Sequence, residues 1–311
     1  MSTRASGWTR LRRAVAARGF TPATWIPAAS EGRAEEATIR PARLLEDLRI
    51  GGHPVGAPEP WPGTVAFLDG TQRYEVMAYA GASPVVVAEI AAAVLERRDR
   101  QMHVAEVARR RLVIARPEVL GDLEDAIEGH GAIEIPEDEP PHPVKDFQLA
   151  RREVDAARGR LEVEIGHRYR SASNAWMIVD GALSESPQWA RDEKMLGVAK
   201  SHATLPFGGG DLEHYLRLPA GMRSPVFEPA GNEVAPVFSW ALRLWPWQGL
   251  NLLHGLIRVE AAPTLETLAR ADQLSRWLLA ERAPVSTPDP RWDRLLYGIR
   301  AVEEYLRASG E

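Results

Sequence analysis

Apolar positions in this chain cluster in short uninterrupted runs that end on a charged residue and a turn former. Trp176 to Val179 is one such run, closed by Asp180 and Gly181. Val65 to Leu68 leads in the same way into Asp69 and Gly70. Four apolar residues without polar alternation predict a strand buried on both faces of a sheet. An acid at the end of such a strand lies half in the core and has to be paired, hydrogen-bonded or metal-bound. Two units of this kind predict neighbouring strands that offer two carboxylates to one point. Asp-Gly is also a common turn dipeptide, so a plain turn is the competing reading of each.

The same patterning predicts further elements. Residues 74–79 read as a strand returning from the first through a turn at 70–73, and 84–95 as a long apolar strand. Residues 196–199 form another apolar run, ended by Lys200. Strands are also expected over 237–244 and 253–259, with a hairpin tip at 245–249. Helical periodicity predicts a long helix over about 144–169, with Phe147, Val154, Leu161 and Ile165 on one face. Two terminal helices are expected over 265–283 and 291–307. The arginine-rich stretch 96–111 reads as a solvated helical face, and residues 50–63, 134–143 and 206–210 as loops. Near the N-terminus, Trp8, Leu11, Val15 and Ala16 fall at helical spacing among five arginines. This order predicts an α/β fold: a mixed sheet flanked by helices, over residues 61–311, with a helical or loop insertion at about 96–143. Residues 1–60 form a separate helix and loop segment, a candidate for docking a partner.

Composition narrows the chemistry. The 311 residues include no cysteine, which removes thiolate nucleophiles and Cys-type zinc sites, and leaves Asp, Glu, His and backbone oxygens as metal ligands. No apolar run approaches the length of about 18 residues that a membrane span requires. No apolar segment with a small-residue cleavage site leads the chain, so a cytoplasmic protein is expected. The net charge of −5 argues against a general basic field for nucleic acid. The arginines are nevertheless clustered, at 97–111 and 151–170, where a phosphate-facing patch competes with a solvated surface. There is no phosphate-binding Gly-rich loop with its Lys and no Gly-x-Ser-x-Gly elbow.

Taken in order, FLDGT (67–71), WMIVDGAL (176–183), LGVAKSH (196–202), GMRSPVF (221–227), FSWALRL (238–244) and LIRVE (256–260) resemble the NurA nucleases. The resemblance runs from about Thr64 onward and is weakest between about Val85 and Phe147. It implies an RNase H-like fold and metal-dependent hydrolysis of DNA, with Mn²⁺ or Mg²⁺ in a two-metal site. It also implies a homodimer that works with a HerA-type hexameric ATPase in DNA end processing and repair or in defence against phage. The Asp of each Asp-Gly unit, Asp69 and Asp180, is then a metal ligand. A Glu on the preceding helix is a third. Glu162 matches the family spacing, but Glu164 flanks the same apolar stripe, and geometry on the sequence alone does not choose. Members of the family carry a histidine near the C-terminus, and none follows His254 here. Asp293 is the nearest replacement and Asp289 the next. Lys200 is placed to hold a phosphate as a point charge, with His202 beside it. The missing histidine keeps a second reading open, a catalytically impaired RNase H-like scaffold that binds the ATPase and DNA.

Overall fold

The computed structural model describes residues 8–22, 38–98, 101–136, 140–200, 204–231, 235–248, 250–282 and 296–309. Asp289, Asp293 and His202 lie outside them.

A short helix, α1 (Thr9–Ala17), opens the described chain. Three long antiparallel strands follow: β1 (Val65–Ala80), β2 (Ser83–Arg98) and β3 (Gln101–Ala115). Next come α2 (Pro117–Asp122), the short β4 (Gly131–Glu134) and the 30-residue α3 (Pro143–Ala172). Then β5 (Trp176–Asp180), α4 (Pro187–Arg191), β6 (Met195–Ala199) and α5 (Gly209–Leu216) alternate. The chain closes with β7 (Phe238–Arg243), β8 (Leu256–Ala261), α6 (Leu265–Ala280) and α7 (Tyr297–Ala308). Among the described residues no helix is long and apolar enough to cross a membrane.

One mixed sheet runs in the order β7–β8–β6–β5–β1–β2–β3–β4. β5 lies parallel between β1 and β6, while β8 pairs antiparallel with β6 and β7. Alternation of side chains along each strand sorts the core into two layers. Val65, Phe67, Ile178, Leu196 and Val198 face α6 and α7, meeting Leu274, Trp277, Ile299 and Val302. Ala66, Leu68, Met177 and Val179 face α3, meeting Val154, Leu161 and Ile165. The buried stripe of α3 repeats every three or four residues because a helix presents one face to a sheet. His142 caps its start, its Nδ1 accepting the backbone N–H groups of Val144 and Lys145 at 3.1 and 3.3 Å.

Several expectations are corrected. No turn follows Gly70: β1 continues unbroken to Ala80, and the chain reverses only at Gly81, so residues 74–79 belong to the same strand. The stretch 101–111 is strand rather than helix. Pairing along nearly the whole of β2 overrides the helical preference of a charged run, and Arg111 meets its cross-strand neighbour Glu89 at 2.9 Å. Among its described residues the region at 96–143 therefore holds two added strands, β3 and β4, beside the helical turns of 117–126. The glycines at 208–210 lead straight into α5. The apolar face of α1 is also accounted for, since Trp8, Leu11 and Val15 pack against Met77, Val85, Val87 and Val113. Only the arginine side of that helix is left to meet a partner.

One ion pair ties the start of α3 to the sheet. Arg116 donates from Nε to Asp146 Oδ2 at 2.8 Å and from Nη2 to Oδ1 at 3.0 Å, and the Ser83 hydroxyl donates at 3.2 Å. Asp146 is 1% exposed, and the guanidinium holds its carboxyl below the usual carboxylate range. A depressed native pKa adds stability above the unfolded value and loses it as pH falls through the native one. Arg116→Met should cost on the order of 3–5 kcal/mol in urea unfolding at neutral pH, because it strands a buried carboxylate. The deficit should shrink as the pH falls below about 4 and through the depressed native value, where protonation of Asp146 removes the pair in the wild type as well.

Candidate active site

β1 and β5 run parallel and in register as far as Leu68 and Val179, so Asp69 and Asp180 occupy the next position on each. Both share the face of Phe67 and Ile178, where the apolar layer gives way to carboxylates. β5 ends at Asp180 whereas β1 runs on, and Asp69 thus sits in mid-strand beside a step in the sheet. Gly181, at φ 144°, carries the chain sharply away and back across β6. Its carbonyl oxygen would lie 2.8 Å from a Cβ on Gly197, so only glycine fits at 197.

Glu162 approaches β1 from α3, at Gly70, the residue next to Asp69. A Cβ on Gly70 would collide with Oε1 of Glu162. The missing side chain of Gly70 is therefore the opening through which this carboxylate meets the strands. Glu162 is 4% exposed. Glu164 projects elsewhere, its carboxylate paired with Arg110 and, at 3.8 Å, with Arg168. Lys200, just past β6, donates from Nζ to Asp180 Oδ2 at 2.7 Å. Asp69, Glu162, Asp180 and Lys200 thus lie within electrostatic reach of one another.

The cost of this grouping shows in the proton affinities. Burial, then the charge of Asp180 and that of Glu162, pushes Asp69 well above the usual carboxylate range against the pull of Lys200. Burial pushes Glu162 up to about 7, opposed by Arg158 and reinforced by Glu185 and Asp180. Two acids that the motifs did not single out belong to this surround. Glu185 lies against α3 at Gly159, where an added Cβ would be 3.7 Å from its Oε2, and its own pKa is raised by burial and by Glu260. Glu260, 1% exposed on β8, accepts the backbone N–H of Ser184 at 3.3 Å and pairs with Arg258. Its signal was an acid two residues beyond a basic one on an otherwise apolar strand. Glu185 had no signal in its local sequence.

All the donors here are carboxylate oxygens, the chemistry that hard dications such as Mg²⁺ and Mn²⁺ prefer. A dication at this point would also relieve the repulsion that raises Asp69 and Glu162, and the donors are of the chemical type such an ion takes. Among the described residues, however, no three of these groups close around one point. Lys200 holds Asp180, Arg158 holds Glu162, and Asp69 turns its Oδ1 to the Gly70 N–H at 2.7 Å.

By sequence, no family profile and no curated protein matches the chain. Among solved structures it is similar to the NurA nuclease from Sulfolobus solfataricus, with 10% identity over 80% of each chain and a TM-score of 0.48. It is also similar to human ENDOV, with 13% identity over 80% of this chain and 86% of that one and a TM-score of 0.35. The catalytic domain of human Endonuclease V aligns over 97% of this chain and 95% of its own, at 14% identity and a TM-score of 0.32.

The expected arginine clusters are largely occupied within the chain. Arg97 pairs with Glu281, Arg98 with Glu96, Arg110 with Glu164 and Arg168 with Glu106. Arg109 bonds Ser309 at 2.6 Å.

Asp69 supplies a test of the electrostatics that needs no substrate. A carboxyl whose native pKa is raised binds its proton more tightly when folded, so its contribution to stability is lost as pH rises through the native value. Asp69→Asn removes that loss. In metal-free buffer at pH 8 the variant should melt a few degrees above the wild type, and the gap should close near pH 4. A lower melting temperature at pH 8 would mean that Asp69 is held by contacts rather than opposed by its neighbours.

Proposed function

We propose that the protein is a divalent-metal-dependent nuclease that hydrolyses DNA phosphodiesters. The observation that carries this reading is the grouping of Asp69, Asp180 and Glu162, from two paired strands and a helix, within electrostatic reach of one another though not closed around one point. A buried cluster of like charges destabilises a fold, and it makes sense where a cation is to be held. Asp69, Asp180 and Glu162 would hold Mn²⁺ or Mg²⁺, with Asp293 as a further ligand. Bound there, a pair of such ions activates water and stabilises the charge of the phosphoryl transition state. The chain's own contribution is position. The two aspartates are set by strand register, Glu162 by the Gly70 opening, and Lys200 stands beside Asp180 as a point charge for a phosphate oxygen. One observation favours the alternative, a scaffold that does not cleave: Lys200 and Arg158 already neutralise two of the three carboxylates.

Asp180→Asn separates the two readings. Linear DNA incubated with Mn²⁺ should be degraded by the wild-type protein and spared in EDTA. The variant should lose activity by roughly 10²-fold or more, as when an electrostatic stabiliser of the transition state is removed, while keeping its circular dichroism spectrum. Unchanged cleavage by the variant would sink the assignment, and no cleavage by either protein would favour the scaffold.

The partners belong to the same proposal. With no nucleotide-binding loop in the sequence, movement along duplex DNA would have to be supplied by a HerA-like hexameric ATPase, in end processing and repair or in defence against phage. A homodimer would offer two such sites to the two strands. Light scattering of the purified protein should give twice the chain mass, and mixing with the ATPase should move it to the mass of a larger complex. A monomer that does not shift would remove both partners.

A further inference from the structure

Arg158 is a charged group at this centre that neither the motifs nor the proposed mechanism uses. It lies one helical turn before Glu162 on α3, so the two side chains share a face. Its Nη1 donates to Glu162 Oε1, the same oxygen that fills the space over Gly70. Its Nε donates to Gln72 Oε1 at 3.1 Å. Gln72, on the part of β1 that runs past the site, is fixed in turn by donating from Nε2 to Asp155 Oδ1 at 2.5 Å. The guanidinium is therefore tethered to the sheet through a neutral amide and to the centre through a charge. The Arg158 side chain is 30% exposed and that of Glu162 is 6% exposed, so the pair spans the boundary between solvent and core. Glu185, from the turn after β5, lies beside the neighbouring Gly159 of α3.

For Glu162 to share an oxygen with Asp69 and Asp180, the inward oxygen has to be released, and Arg158 holds it. We propose that Arg158 is a resident counter-ion of the carboxylate centre: it neutralises Glu162 in the metal-free protein and gives up that oxygen when a divalent cation binds. The Gln72 tether is independent of Glu162 and keeps the released guanidinium at the rim of the site. Exchange of this kind makes an acidic centre tolerable before it is loaded, because a buried carboxylate without a partner costs more than a paired one. It also sets the affinity, since the entering ion competes with a charge already in place. Arg158 is here a positioning residue. The inference rests on the metal reading given above.

The test is direct binding of Mn²⁺ to the full-length protein, followed by electron paramagnetic resonance at pH 8.5 under nitrogen, so that protons do not take the vacated place on Glu162. Arg158→Gln should bind Mn²⁺ roughly tenfold more tightly than the wild type, the order expected when one unit charge beside a half-buried carboxylate is removed. Arg158→Lys keeps the charge but lacks the planar fork that reaches Gln72 and Glu162 together. It should tighten binding by a smaller factor, and it serves as the reading if the Gln variant does not fold. A purely structural role for Arg158 would leave Mn²⁺ affinity unchanged or weaken it in both variants, and either result overturns the proposal while leaving the metal centre intact. Absence of Mn²⁺ binding in wild type and variants alike would overturn the metal reading and this inference with it.

Discussion

The parallel pairing of β1 with β5 is the constraint on which the site depends. Because side chains alternate, register decides which face each residue meets. Val65 and Phe67 on one strand and Ile178 on the other bury against α6 and α7, and the next positions on that face are Asp69 and Asp180. A slip of one residue would turn Asp69 into the layer packed on α3 and send Phe67 with it. The apolar residues that drive burial are thus the same ones that bring the two carboxylates together.

The step in the sheet gives the centre its third acid. β5 stops at Asp180 while β1 continues for eleven residues past Asp69, so α3 approaches an uncovered stretch of strand. Gly70 leaves the gap that Glu162 enters, and Gln72, two residues on and on the same face, anchors Arg158. Carboxylate, counter-ion and tether are consecutive features of one strand passing one helix. The extended ends of β1, β2 and β3 are stabilised separately, by α1 and the short α2 segment packing on their apolar face.

The charge distribution follows the same economy. A chain with five more acids than bases could concentrate its arginines on one surface, yet most of the arginines in the two clusters pair with acids from neighbouring strands and helices. Exposed pairs of this sort contribute little individually, but they fix which face of each element is polar. Partners carrying phosphate would have to compete for these guanidinium groups rather than meet free ones.

The sequence by itself determined the elements whose signal is local. Unbroken apolar runs marked β5, β6, β7 and β8, the three-to-four periodicity marked α3 and α6, and each run that ended in an acid or a lysine pointed to Asp69, Asp180 and Lys200. Tertiary structure decided what local pattern cannot encode. Charged residues at 101–111 became a strand because a long partner strand was available to pair with them. Asp69-Gly70 was not a turn, because the glycine serves a helix distant in sequence rather than a reversal of the chain. Glu162 and Glu164 are equivalent on an isolated helix, and only the side on which β1 lies separates them. Arg158 and Glu185 carry no motif at all, and Glu260 closes LIRVE without being marked there as an acid of the centre: their place comes from helix, turn and strand meeting in space, a relation that exists only once the sheet has formed.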